Sequence, residues 1–133
     1  RNSGASYELT DRAGCTVLHY AVDGGNLDSI QYLLMDGVDV NAKDHTSGWT
    51  PLLRAASVGG NKDIADLLIK YKADVNVIDK DSKSALMIAV INGNQPLVQC
   101  LVEHGADVNV KNEFGKTAYE MAVAMDRRVR LTP

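Results

Sequence analysis

A chain of 133 residues, 45% hydrophobic and 23% charged, has room for one domain or one array of small units, and its apolar content excludes disorder. With aromatics at only 5%, the apolar content is carried by Ala, Val, Leu and Ile, which suits thin layers of small side chains better than one thick core. A net charge of −3 and a pI near 5.5 argue against a nucleic-acid face.

Self-similarity organises the rest. Thr16, Thr50, Ser84 and Thr117 recur at steps of 34, 34 and 33 residues. Leu18, Leu52, Leu86 and Tyr119 follow two residues on, and Ala21, Ala55, Ala89 and Ala122 come after them. A fixed period of this length predicts a solenoid. In chain order, residues 1–10 form the stub of a preceding unit, because Gly4–Asp11 fits a unit's closing phrase. Residues 11–43 form the first full unit. Thr16 stands where its hydroxyl accepts from a free helix N–H, a short helix runs to Gly24-Gly25, and a second runs through LDSIQYLLMDG. Ile30, Leu33 and Leu34 make the apolar stripe of that second helix, and Gly37 closes it.

Residues 44–78 form a second unit lengthened by two single-residue insertions, one in the turn Asp44–Thr50 and one in the helix end Ala55–Asn61. Pro51 takes the first helical position, where its missing N–H costs least. Lys72 stands where a helix-ending glycine is expected. Residues 79–111 form a third unit, and residues 112–133 a partial C-terminal one. The phrases GVDVNAKD, KADVNVID and GADVNVKN make extended turns from each unit to the next. Helices this short are stable only when stacked on neighbours.

The phrase TVLHYAVDGGNLDSIQYLLMDGVDVNAKD resembles the ankyrin repeat, whose commonest form carries the TPLH and GADVN phrases. The resemblance covers nearly the whole chain. It implies an all-α solenoid of stacked helix-turn-helix units joined by extended β-turn fingers. Only His19 keeps the histidine of TPLH; Leu53, Met87 and Glu120 replace it. The stretches SGWTPL and KNEFGK are similar, within the family, to ankyrin stacks that accompany fibronectin type III domains.

No catalytic or metal site and no cofactor is expected. His19, His45 and His104 lie in different units without metal-ligand spacing, and the carboxylates of Asp39, Asp74 and Asp107 recur with the period as turn residues. Arg127, Arg128 and Arg130 make one basic spot that fits a solvated face. Cys15 and Cys100 show no paired spacing, which places the chain in a reducing compartment, cytoplasmic or nuclear. No apolar run is long enough to span a bilayer, so no membrane partner is expected. The chain is expected to be monomeric, with Leu18, Val22 and Tyr32 near an end open to end-to-end stacking.

The resemblance implies non-enzymatic protein–protein interaction, in which a rigid concave groove of turn tips and first helices meets a protein or peptide. The alternative is a regulatory segment of a larger enzyme or channel that docks within its own chain. On the groove, Trp49, Val58, Ile91, Phe114 and Met125 stand where the repeat does not require apolar residues, with His45, Lys80 and Lys83 beside them. Large aromatics at such places are typical interface anchors. The resemblance also implies hydroxylation by a cytosolic asparagine hydroxylase at Asn41, Asn76 and Asn109, each with a leucine eight residues earlier.

Overall fold

A computed structural model describes residues 10–57 and 61–124. Val58, Met125, the arginine cluster and nearly all of the N-terminal stub lie outside the described residues. Seven helices are present among those described: α1 (Val17–Gly24), α2 (Leu27–Met35), α3 (Pro51–Ser57), α4 (Lys62–Lys70), α5 (Ala85–Ile91), α6 (Gln95–Glu103) and α7 (Ala118–Ala124). The only extended pairing among them is the isolated bridge between Ile78 and Ser84. The fold is an all-α solenoid. Helices α1, α3, α5 and α7 pack in sequence as an inner layer, and α2, α4 and α6 as an outer one.

Each helix starts where the sequence supplies a cap. The hydroxyls of Thr16, Thr50 and Ser84 accept from the backbone N–H of His19, Leu53 and Met87. Asn26, Asn61 and Asn94 do the same for the outer helices, through the N–H groups of Ser29, Ile64 and Leu97. At Thr117 the box is reciprocal: Glu120 N–H donates to Thr117 Oγ1 at 3.2 Å, and Thr117 N–H donates to Glu120 Oε1 at 3.0 Å. Glu120 thus takes over the capping role that His19 has in the first unit.

The outer helices α2 and α6 end at Gly37 and Gly105, both with φ of 90°. Lys72 takes the same left-handed turn after α4, at φ 79°. The glycine is missing but the geometry is not, because Ala73 N–H still bonds to the Leu68 carbonyl at 3.0 Å. The tertiary stack holds a lysine where the local preference is for glycine.

The core lies between the layers. Leu18, Leu52, Leu86, Ile30, Leu68 and Leu101 are almost wholly excluded from water, each contributing about 1.5–3 kcal/mol of burial. Ala55, Ala89 and Ala122 let the inner helices approach closely. Leu18 and Val22, expected near an open end, are buried, since α2 and α3 cover them. Tyr32, expected there with them, is exposed, and Val17 and Tyr20 lie beside it as further apolar surface. No helix among the described residues is long and apolar enough to cross a membrane.

Candidate binding face

Among the described residues four fingers project between units, and one side chain braces each. Asp11 Oδ1 accepts from Ala13 and Cys15 N–H, Asp79 Oδ1 from Asp81 and Lys83 N–H, and Asn112 Oδ1 from Phe114 and Lys116 N–H. The lengthened second finger solves the problem differently. Asp44 Oδ1 gathers three N–H groups, from Ser47 at 2.8 Å, Gly48 at 3.0 Å and Trp49 at 3.4 Å. Burial raises the pKa of Asp44, but these N–H groups and the Arg54 guanidinium outweigh it and hold the carboxyl below its ordinary value of 3.8.

The fingers also hold one another. His45 N–H donates to the Ala13 carbonyl at 2.6 Å, and Lys80 N–H to the Ser47 carbonyl at 3.0 Å. The extra residue of the second finger lengthens its turn, so that Asp44 N–H closes on the Trp49 carbonyl. Gly14 shows how tight this row is. A Cβ there would lie 2.6 Å from the His45 ring and 2.8 Å from its backbone nitrogen, so ring rotation alone would not make room.

His19 and Trp49 tie the first three units together. Thr16 N–H donates to His19 Nδ1 at 3.0 Å, which leaves the proton on Nε2 to donate to the Trp49 carbonyl at 2.8 Å. Trp49 Nε1–H in turn donates to Asp79 Oδ2 at 2.8 Å in the next finger. The half-buried Trp49 ring packs on the core and bridges the second finger to the third, so part of it serves the stack itself.

The other expected groove residues are dispersed in role. Phe114 is 77% exposed on the fourth finger. Lys80 is exposed, with its ammonium donating to the His45 carbonyl; Lys83 and Ile91 are half-buried; His45 is exposed beside Gly14. Asn41 and Asn76 act as straps. Asn41 donates to the Lys72 carbonyl at 3.2 Å and accepts from Asp74 N–H at 2.8 Å. Asn76 repeats this with the Gly105 carbonyl and Asp107 N–H, at 3.4 and 2.7 Å. The side chain of Asn109 has no such partners among the described residues.

Two groups escaped the sequence reading. Arg54, on α3, reaches Asp23 at 3.0 Å, Cys15 Sγ at 3.1 Å and Asp44 at 3.8 Å, and so joins the second finger to the first inner helix. The signal was present, because the corresponding inner-helix positions are Tyr20, Ile88 and Met121. On the outer layer, Asp66 of α4 meets Cys100 and His104 at the end of α6. Cys100 and His104 are one turn apart, a spacing legible in the sequence, but Asp66 arrives from another unit. Burial, with Asp66 beside it, pushes the Cys100 thiol up to about 11.

Ankyrin-repeat family models match residues 18–112 and 55–129, in a three-copy form, and residues 1–34, in a many-copy form. The chain belongs to the ankyrin-repeat family. Ankyrin repeats are protein–protein interaction modules. The chain is similar to the mouse fibronectin type 3 and ankyrin repeat domains 1 protein, at 52% identity over 52 residues, 39% of this chain and 15% of that protein. It is also similar to mouse protein phosphatase 1 regulatory subunit 27, at 42% identity over 76 residues, 57% of this chain and 48% of that one. Mouse 2-5A-dependent ribonuclease is 40% identical over 69 residues, 52% of this chain and 9% of that one, so the similarity extends to a protein named as an enzyme. The chain spans less than half the length of each of these relatives.

Proposed function

We propose that this ankyrin stack is a non-enzymatic module that presents its finger row and inner helices to a protein or peptide partner. The observation that carries the proposal is Phe114, a large aromatic exposed at a finger tip whose backbone is already fixed by Asn112. A rigid finger loses little conformational freedom on binding, and an aromatic there gains most from being covered. The surface continues through Lys80 and His45 to the exposed edge of Trp49. Val58 and Met125 extend it in the sequence, and Lys83 and Ile91 flank it.

The similarity to a phosphatase regulatory subunit makes a phosphatase catalytic subunit a concrete first partner to try. The similarity to a ribonuclease favours the alternative, a regulatory segment docking within a larger enzyme. The test is capture from cell extract by the chain, native against Phe114→Ala with Lys80→Glu, alongside direct titration of the phosphatase catalytic subunit. Both forms should unfold at nearly the same temperature, because neither side chain is buried and only the exposed bond from Lys80 to the His45 carbonyl is lost. Loss of a specific partner by at least about tenfold is expected for removal of an aromatic anchor; equal capture by both forms would remove the finger row from the function. Digestion and weighing of the recovered chain tests asparagine hydroxylation at Asn41, Asn76 and Asn109, and an unchanged mass for all three peptides would count against it.

A further inference from the structure

We propose that Asp66, Cys100 and His104 form a zinc-binding site on the outer face of the stack, separate from the finger row. Three donors of different chemistry converge there: a carboxylate oxygen, a sulfur and an imidazole nitrogen, all within 4.8 Å of one another. Asp66 Oδ1 is the hub, 3.5 Å from Cys100 Sγ and 3.6 Å from His104 Nε2. Zinc bonds of about 2.0–2.2 Å to nitrogen or oxygen and about 2.3 Å to sulfur, in a tetrahedron, require ligand-to-ligand edges of about 3.4–3.6 Å. The two edges that meet at Asp66 already have that length.

The surroundings prepare each ligand. His104 Nδ1 lies 2.8 Å from the Cys100 carbonyl. With the proton on Nδ1 donated there, Nε2 presents its lone pair toward Asp66, the arrangement that orients metal-bound histidines. Lys62 sits 3.8 Å from Asp66 Oδ2, which leaves Oδ1 for the ion. Asp66 and His104 line an open cleft of about 480 Å³ with Leu27, Gln31 and Lys70, so water can supply the fourth ligand. Cys100 is 3% exposed, and an ion would enter past the carboxylate and the imidazole. Binding replaces the thiol S–H bond by a zinc–thiolate bond, the proton leaves to water, and no oxidation state changes. A mixed sulfur, nitrogen and oxygen set with a tetrahedral outline selects zinc over magnesium or calcium.

The test uses the chain, freed of metal with a chelator, and zinc chloride alone in a calorimetric titration, with cobalt(II) chloride as a spectroscopic substitute. One zinc per chain is expected, together with tetrahedral cobalt bands and a thiolate-to-cobalt charge-transfer band. Asp66→Asn and His104→Ala remove side chains that are only partly covered, so both variants keep the helical content of the native chain. Each should weaken zinc binding by at least about tenfold. Cys100→Ser should abolish the charge-transfer band, while Cys15→Ser, on another face, should leave it. Absence of stoichiometric zinc binding, or binding undiminished by both Asp66→Asn and His104→Ala, would overturn the site. The two surface variants decide the matter even where Cys100→Ser fails to fold.

Discussion

Asp44 concentrates the chemistry of the second finger in one carboxylate. Three backbone N–H groups and the nearby Arg54 favour its charged form against the cost of burial. A carboxyl held below its ordinary value stabilises the native state fully above that value, near 3.8, and the contribution is lost as pH falls through the lower native one. Urea unfolding should therefore show a steep loss of stability below about pH 4. Asp44→Asn should lower stability at pH 7 by about 1–2 kcal/mol and flatten that acid limb. An acid limb of unchanged slope in the variant would mean that Asp44 is not its source. The exposed Asp11 and Glu120 carboxyls also lie below their ordinary values, Asp11 through Tyr20 and backbone N–H groups and Glu120 through Thr117 N–H. They add to the same limb, so the variant reduces its slope without erasing it.

The end of α4 tests local preference against tertiary demand. Lys72 sits at φ 79°, a left-handed conformation costing a side-chain-bearing residue about 1–2 kcal/mol relative to the right-handed region. Glycine would adopt it freely but would lose more freedom on folding, about 0.4–1 kcal/mol. Lys72→Gly should therefore raise stability by up to about 1 kcal/mol, read as a higher urea midpoint at unchanged slope. A lowered midpoint would mean that the lysine is held there by favourable contacts. The helix starts were more legible than this end. Thr16, Thr50, Ser84 and Thr117 announce their caps because capping is a local geometry of three or four residues. The reciprocal box of Glu120 was missed because it replaces a histidine with a different group making the same bond.

Across the whole molecule, coupling between units depends on few polar bonds laid over continuous apolar contact. The amide of Asn41 bonds to both partners in the next unit, and Asn76 repeats the arrangement one unit later. In a solenoid, weakening one interface loosens the cooperativity of the array as well as its stability. Asn41→Ala should cost about 1 kcal/mol and broaden the urea transition, seen as a smaller apparent slope. A transition unchanged in midpoint and slope would show that the apolar interface alone couples the units. The candidate faces follow the same logic of neighbouring units. Phe114 was legible as a surplus aromatic in a polar turn. The role of Trp49 was not, because its indole partner, Asp79, lies in the following finger and the sequence gives no sign of that reach.

The sequence by itself determined the period, the caps, the apolar stripes and the turn residues, and with them the ankyrin solenoid. All of these depend on spacings within one unit, where covalent connection and helix geometry fix who meets whom. Tertiary structure alone decided which side chains of different units touch. It turned Trp49 into a strut, carried Arg54 across to Asp23, held Lys72 left-handed, and brought Asp66 of one outer helix to Cys100 and His104 of the next. The physical reason is that a stack sets its lateral contacts by packing. A shift of one residue between neighbouring helices changes every such pairing while leaving each unit's own pattern intact.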